Sequence, residues 1–373
     1  MKYILWLLRI VVGVLFIFSG LIKANDPLGL SYKMIEFFEV WDMMWMVPYA
    51  LPLSVVMIAF EVIAGVAVLL GYAYRIFSFL LLLLIVFFTF LTAYVLFSGK
   101  IKECGCFGDC IKITNTETFW KDVALLVMIL ILFFFRNKVK PVFSGYPSVA
   151  ILVLTTFFAF GVQWYVLEHL PFYDCLPYKV GVDINVDSKI PPGAIPDKYE
   201  SVMIYEKDGV KKEFTMENYP WQDTTWKFVD RTDKLVQKGN AEPKIKDFVI
   251  TDAEGNDQTE QILTTPGYTF LLFVKDPAKA RTDNMDKLRQ LIAEANGKNI
   301  PFYVLCSASP DIAEKYRKEW GLNAPFYVLD VTTSKTAMRN NPGLMLLEQG
   351  VIRGKWSYRD YPETVSQATN KAE

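Results

Sequence analysis

Five apolar stretches, each close to the length of a bilayer crossing, constrain this chain more than anything else in it. A membrane-spanning helix needs roughly 20 mostly apolar residues at about 1.5 Å each. Ile4–Ile22, Leu51–Tyr72, Ile76–Phe97, Phe119–Phe135 and Val149–Leu167 all approach that length. The fourth is the shortest, but Trp120, Lys121 and Arg136 at its ends suit a membrane interface. Composition agrees, since 52% hydrophobic residues and a mean hydropathy of +0.23 over 373 residues are too apolar for an ordinary soluble protein. The first stretch imitates a secretory signal, because Lys2 precedes an apolar run. Arg9 interrupts that run and no small-residue cleavage pattern follows, so it reads as a retained helix. A net charge of -1 with no basic stripe argues against a nucleic-acid partner.

Three of the five cysteines lie between the third and fourth stretches, in Cys104-Gly-Cys-Phe-Gly-Asp-Cys110. With the N-terminus inside the cell, the inner segments hold Lys2, Arg75 and the dense Arg136, Lys138, Lys140 group, which fits the positive-inside tendency by charge density. Five crossings then place this loop, Cys175 and everything after it on the non-cytoplasmic side. Disulfides persist there. In a bacterium this is an inner-membrane protein with a periplasmic C-terminal part.

Arg9 in the first stretch and Glu61 in the second are charges at depths where burial is costly unless they are paired or hydrated. An Arg9–Glu61 contact is the expected solution, as a structural pair rather than a proton or quinone site.

Past Cys175 the chain turns polar and is punctuated by proline and glycine. Ser201–Thr215 reads as a hairpin, with Val202, Ile204, Val210 and Phe214 around a Lys207-Asp-Gly209 turn, and the rest of 176–240 as irregular connection. From about Glu242 strands and helices alternate. Tyr268–Val274, Pro301–Leu305 and Pro325–Leu329 are expected strands, while Lys279–Ala295, Asp311–Trp320 and a turn around Thr333–Met338 are expected helices. A final hairpin runs over Gly343–Glu348 and Val351–Trp356. This is an α/β domain. The expected organisation is therefore a membrane domain over 1–140, a fifth membrane helix within 141–175, a connecting module over 176–240 and the α/β domain over 241–373.

Two resemblances follow from these residues. The βαβ unit and final hairpin, with Asn341-Pro342-Gly343 before the hairpin strand and Pro243-Lys-Ile-Lys-Asp-Phe-Val-Ile-Thr-Asp-Ala-Glu-Gly255 at its entry, resemble the membrane-tethered TlpA-like branch of thioredoxin folds. By that resemblance Pro342 is the fold's cis-proline. Lys275-Asp-Pro-Ala-Lys-Ala-Arg-Thr-Asp-Asn284 carries no cysteine where the family has Cys-x-x-Cys, so dithiol exchange at that site is excluded. In the membrane part, Arg9-Ile-Val-Val-Gly-Val-Leu-Phe-Ile-Phe-Ser-Gly-Leu-Ile-Lys23, Phe60-Glu-Val-Ile-Ala-Gly-Val-Ala-Val-Leu-Leu-Gly71 with Arg75, and Cys104-Gly-Cys-Phe-Gly108 before Glu117-Thr-Phe-Trp-Lys-Asp-Val-Ala-Leu-Leu126 resemble DoxX proteins. They also resemble the methylamine-utilisation protein MauE. That match implies a four-helix bundle, related in architecture to vitamin K epoxide reductase-like proteins, which assists envelope thiol chemistry or maturation of a partner. The whole arrangement resembles DoxX proteins of Bacteroidetes that carry a thioredoxin-like domain.

The cysteines allow several chemistries. Gly105 lets a strained Cys104–Cys106 bridge form, and Cys106 and Cys110 come within disulfide range across a turn at Gly108. Lys102 and Lys112 favour a thiolate while Glu103 and Asp109 oppose it. Thr114-x-x-Glu117 reads as a capping box, so a helix N-terminus adds a weak positive field. Cys175 can pair with the odd member of the trio, and four thiols allow three connectivities. Cys104, Cys106, Cys110 and Cys175 are the candidate redox residues; two static disulfides are the alternative. A Cys₃His metal site would need His169, but Cys-x-Cys-x₃-Cys is not a usual zinc spacing, so neither metal nor cofactor is expected. Cys306, at the end of a buried strand, reads as a small core residue and is at most a minor candidate. Two functions stay open. One is thiol-disulfide exchange at the 104–110 loop. The other is a redox-inert scaffold whose thioredoxin-like domain binds an envelope partner through the face freed by the missing Cys-x-x-Cys.

Overall fold

The structure, a computed structural model, describes residues 2–101, 105, 108–111, 113–143, 145–221, 223–237, 239 and 241–370, excepting the side chains of 234 and 235. Six helices build the N-terminal part: α1 (Lys2–Ala24), α2 (Pro27–Val40), α3 (Ala50–Leu70), α4 (Tyr74–Ser98), α5 (Asn115–Phe134) and α6 (Tyr146–Glu168). Among the described residues, four helical segments are long and apolar enough to cross a membrane: α1, α4, α6, and Met44–Leu70, which joins a 3-10 turn to α3. The expected fourth crossing, Phe119–Phe135, falls on α5. Glu117, Lys121 and Asp122 load its first two turns with charge, which leaves it outside that set. Even so, α5 runs back along α4, and the chain beyond it returns to the far end of α3, where the Val142 amide donates to the Leu70 carbonyl at 2.8 Å. The cysteine loop and the end of α6 therefore emerge at the same end of the bundle.

Glycine sets the closest helix contact. A Cβ on Gly65 would stand 2.8 Å from the Gly13 carbonyl oxygen, and one on Gly20 would stand 2.6 Å from Val62 and 3.3 Å from the Glu61 side chain. Small residues let membrane helices approach backbone to backbone.

This contact also overturns the expected Arg9–Glu61 pair. In the antiparallel α1–α3 register residue 20 faces 61 and 62, whereas Arg9 faces 69 to 71. Arg9 is thus 11 residues, or about 16 Å, away from the level of Glu61. Lys23 and Ser19 occupy that level instead: Lys23 Nζ donates to Glu61 Oε1, and Ser19 Oγ to Oε2 at 3.2 Å. Arg9 donates to the carbonyls of Leu69 and Lys140, each at 3.1 Å, and so ties α1 to the end of α3 and to the segment after α5.

Beyond α6 lie a short helix α7 (Ile184–Asp187) and a three-stranded antiparallel sheet in the order β2-β1-β3, formed by β1 (Lys198–Lys207), β2 (Val210–Thr215) and β3 (Lys227–Gln237). Asp208 and Gly209 both take positive φ (52° and 78°), as a two-residue hairpin turn of matching twist requires. β3 falls in a stretch expected to be irregular. Its Lys-Phe-Val-Asp-Arg-Thr-Asp run has no clear alternation, because the sheet is largely exposed.

The last part is a six-stranded sheet, β4-β7-β6-β5-β8-β9, comprising β4 (Ile250–Thr251), β5 (Tyr268–Val274), β6 (Phe302–Cys306), β7 (Phe326–Leu329), β8 (Gly343–Glu348) and β9 (Val351–Ser357). β5, β6 and β7 run parallel, while β8 adds antiparallel to β5 and β9 antiparallel to β8. Helices α8 (Thr259–Leu263), α9 (Met285–Gly297), α10 (Pro310–Trp320) and α11 (Val331–Ala337) flank the sheet. β5 is apolar throughout because both its faces are covered: Phe270 and Leu272 pack with Leu288 and Ile292 of α9, and Leu271 and Phe273 with Ile250 and Met338. α9 starts at Met285 rather than near Lys279. Asp276 caps a 3-10 turn over Pro277–Lys279, and the Arg281 amide donates to the Asn341 carbonyl at 2.9 Å, which holds the intervening segment out of helix.

Candidate functional site

Cys110 and Cys175 form a disulfide that spans 65 residues of sequence, with Cα atoms 4.7 Å apart. Cys110 is exposed and Cys175 half-buried. Cys104 and Cys106 lie outside the described residues. Just beyond the loop, the Glu117 amide donates to Thr114 Oγ1 at 3.2 Å and the Thr114 amide to Glu117 Oε2 at 2.9 Å, so the capping box starts α5 where the sequence indicates. His169 is engaged elsewhere, its Nδ1 2.8 Å from Asp360 Oδ1. Among the described residues, no three His, Cys, Asp or Glu side chains are grouped so as to hold a metal ion.

Each cysteine of the bridge adjoins an aspartate that reaches into the α/β domain. Asp109, next to Cys110, accepts from Arg339 Nη2 at 2.6 Å, and the same guanidinium is 2.8 Å from Asp26, the N-cap of α2. Asp174, next to Cys175, accepts from Lys355 Nζ at 2.6 Å. Burial pushes the Lys355 ammonium below its ordinary pKa, and Asp174 opposes that shift. A third cluster joins the end of α6 to the loop after β9: Glu168 accepts from the Tyr358 hydroxyl and from Arg359 Nε, the latter at 2.6 Å. The disulfide thus sits in a charged seam between bundle and domain.

That seam covers the face which the lost Cys-x-x-Cys was expected to leave free. The Asn341–Pro342 peptide is cis. Beside it the Lys275 amide donates to Asn341 Oδ1 at 3.0 Å, and Lys275 Nζ donates to the Tyr32 hydroxyl of α2 at 3.1 Å and to the Arg339 carbonyl. Asn340 Nδ2 donates to the Leu167 carbonyl at 3.3 Å. Burial, reinforced by Arg339 and Lys335 against Asp26, pushes the Lys275 pKa down to about 7. A buried lysine thus stands at the end of β5, and α2 covers it.

Residues 1–135 match the family model described as methylamine utilisation protein MauE. The membrane half is MauE-type, and it is fused to a thioredoxin-like domain. Residues 199–238, which contain the three-stranded sheet, match a domain of unknown function (DUF8463). The chain is 27% identical over 158 residues to Protein TlpB of Flavobacterium psychrophilum, a match that covers 41% of this chain and 43% of that protein. The chain therefore spans less than half the length of this curated relative. No solved structure matches.

In the MauE-type half, the sequence pointed to the cysteine loop but not to its ionic surroundings. Asp26-Pro27 is a helix-start signal, cap followed by proline at N1, and reading it would have revealed α2 and its reach toward the domain. Arg339, Lys355 and Asp174 carry no local signature, since only the fold brings them to the seam. Cys306 lies in the core at the end of β6, where burial raises its thiol pKa to about 11. That makes it inert as a nucleophile at neutral pH.

Proposed function

We propose that this MauE-type protein takes part in envelope thiol-disulfide chemistry, or in maturation of a partner protein, with the 104–110 loop as the exchange site. The observation that carries this reading is the Cys110–Cys175 disulfide, in which Cys110 is an exposed residue four and six positions from two further cysteines in the sequence. The attacking group is a thiolate, from a partner or from Cys104 or Cys106. It bonds to Cys110 Sγ, the Cys110–Cys175 bond breaks, and Cys175 leaves as the thiolate. A second thiol then resolves the mixed disulfide, so that one dithiol is oxidised as the 110–175 pair is reduced. The match to the MauE family and the similarity to TlpB support this class of activity.

The same reading orients the protein in a bacterial inner membrane, with the N-terminus cytoplasmic and the loop and thioredoxin-like domain periplasmic, where such a bond persists. Domain limits near 140, 175 and 240 belong to the same proposal.

Thiol labelling with mass detection tests it, carried out on the membrane-embedded protein at graded reduction potentials. Exchange predicts that Cys110 and Cys175 become labelled within the periplasmic range and that Cys106→Ser changes which mixed disulfides accumulate. A bridge that stays closed throughout, with the partner's oxidation state unchanged in Cys106→Ser, defeats the proposal. One observation favours a redox-inert scaffold in that case: aspartates on both sides of the bridge hold the domain, as a structural staple would.

A further inference from the structure

Helices α1 to α5 enclose a cavity of about 510 Å³ inside the MauE-type bundle. This is within the roughly 300–1,000 Å³ typical of small-molecule sites. Aromatic side chains make much of its wall, among them Phe16, Phe37, Trp41, Phe60 and Phe88. Two ion pairs line it as well, Lys23–Glu61 and Lys121–Asp122, the second at 2.8 Å. Both carboxylates are almost fully buried, at 1% and 2% side-chain exposure. Charges inside a membrane bundle are costly, and they mark functional positions.

Asp122 distinguishes this cavity from a packing void. Its Oδ1 meets Lys121, but its Oδ2 is buried and accepts no hydrogen bond among the described residues. A buried carboxylate oxygen left in this way calls for a donor, and the cavity that Asp122 lines supplies the room for one. Leu53, Val56 and Phe87 also line the cavity and are exposed, so it opens between α3 and α4. Both helices belong to segments long and apolar enough to cross a membrane, so a bilayer would cover that opening.

We propose that this cavity binds a membrane-soluble amphipath with a ring-bearing apolar body and a hydroxyl head, the hydroxyl donating to Asp122. The body stacks among the phenylalanines and Trp41, whose faces suit an aromatic ring better than a saturated chain. The proposal is independent of the thiol reading, since neither the disulfide nor Cys104 or Cys106 enters it.

The test uses the full chain in detergent, with radiolabelled 4-nonylphenol as probe, micelles alone as the blank, and two competitors. One competitor, 4-nonylanisole, has the same body but cannot donate; the other, monolaurin, carries hydroxyls on an acyl body. One phenol should bind per chain, with the anisole and monolaurin each at least tenfold weaker. Asp122→Asn should weaken the phenol about tenfold and leave the anisole unchanged, while Met57→Trp, which fills the body of the cavity, should weaken both. Melting curves verify that each variant is folded. Equal binding of phenol and anisole overturns the Asp122 assignment, tighter binding of monolaurin overturns the aromatic body, and unaltered binding by a folded Met57→Trp variant overturns the site.

Discussion

The contact between α1 and α3 and the seam between bundle and thioredoxin-like domain solve the same problem with opposite materials. Within the bundle, Gly13, Gly20 and Gly65 let two helices touch through backbone and methyl groups. At the seam, Asp26, Asp109, Asp174 and Glu168 face Arg339, Lys355, Tyr358 and Arg359. The first contact carries one buried ion pair, Lys23–Glu61, but its closeness rests on glycines that leave no room for an added Cβ. The second tolerates changes of shape but depends on every charge, because a buried cation that loses its partner remains desolvated. The bundle is thus built to be permanent, and the seam to respond to conditions.

The largest effect expected at the seam comes from removing its covalent part. Replacing Cys110 and Cys175 by serine reopens a 65-residue loop, worth about 4 kcal/mol in the chain-entropy account. Denaturant titration of the detergent-solubilised protein measures it, and a loss below about 1 kcal/mol would show that the ion pairs alone hold the seam.

Next comes Arg339→Ala, which strands Asp26 and Asp109. Breaking a buried pair costs about 3 kcal/mol, and here it should appear as faster proteolysis around Asn340 and Asn341 with bundle melting unaltered. Parallel loss of bundle stability would deny that the two contacts are separable.

Gly65→Ala is the matching cut inside the bundle. Its Cβ would stand 2.8 Å from the Gly13 carbonyl oxygen, and overpacking of this kind costs about 2 kcal/mol. Thermal melting should fall while seam proteolysis stays at the wild-type rate.

A pH dependence of docking is the remaining effect. Docked Lys275 has a pKa of about 7, against about 10.4 when free. Between these values the open form binds more protons, so docking strengthens as pH rises from about 7 toward about 10 and is flat below 7. Fluorescence transfer between labels on bundle and domain should follow this rise, and Lys275→Met should reduce it to the share that belongs to Lys355, whose pKa burial also lowers. A wild-type response that is flat over the same range removes Lys275 from the seam's electrostatics.

Legibility in the sequence follows the same division. Long apolar runs and the unbroken Tyr268–Val274 strand announce themselves, because burial over consecutive residues leaves a local record. The capping box at Thr114 and the Asp208-Gly209 turn are also local, and both were readable. Arg9 and Glu61 were visible as costly charges but were paired wrongly, since the partner of each depends on an interhelical register set by glycines. Lys23, Asp26 and Arg339 were missed for a related reason: a charge near a helix end or in a loop looks solvated until the fold places another element over it. β3 was missed because an exposed sheet need not alternate.

The disulfide has one more consequence, which concerns connectivity. Joining residue 110 to residue 175 closes α5 and α6 into a covalent ring. A single cut in the chain between them, anywhere over 136–145, leaves the thioredoxin-like domain still bonded to the first four helices through the bridge. The domain hangs on two strings, and only the reduction of one makes the other indispensable.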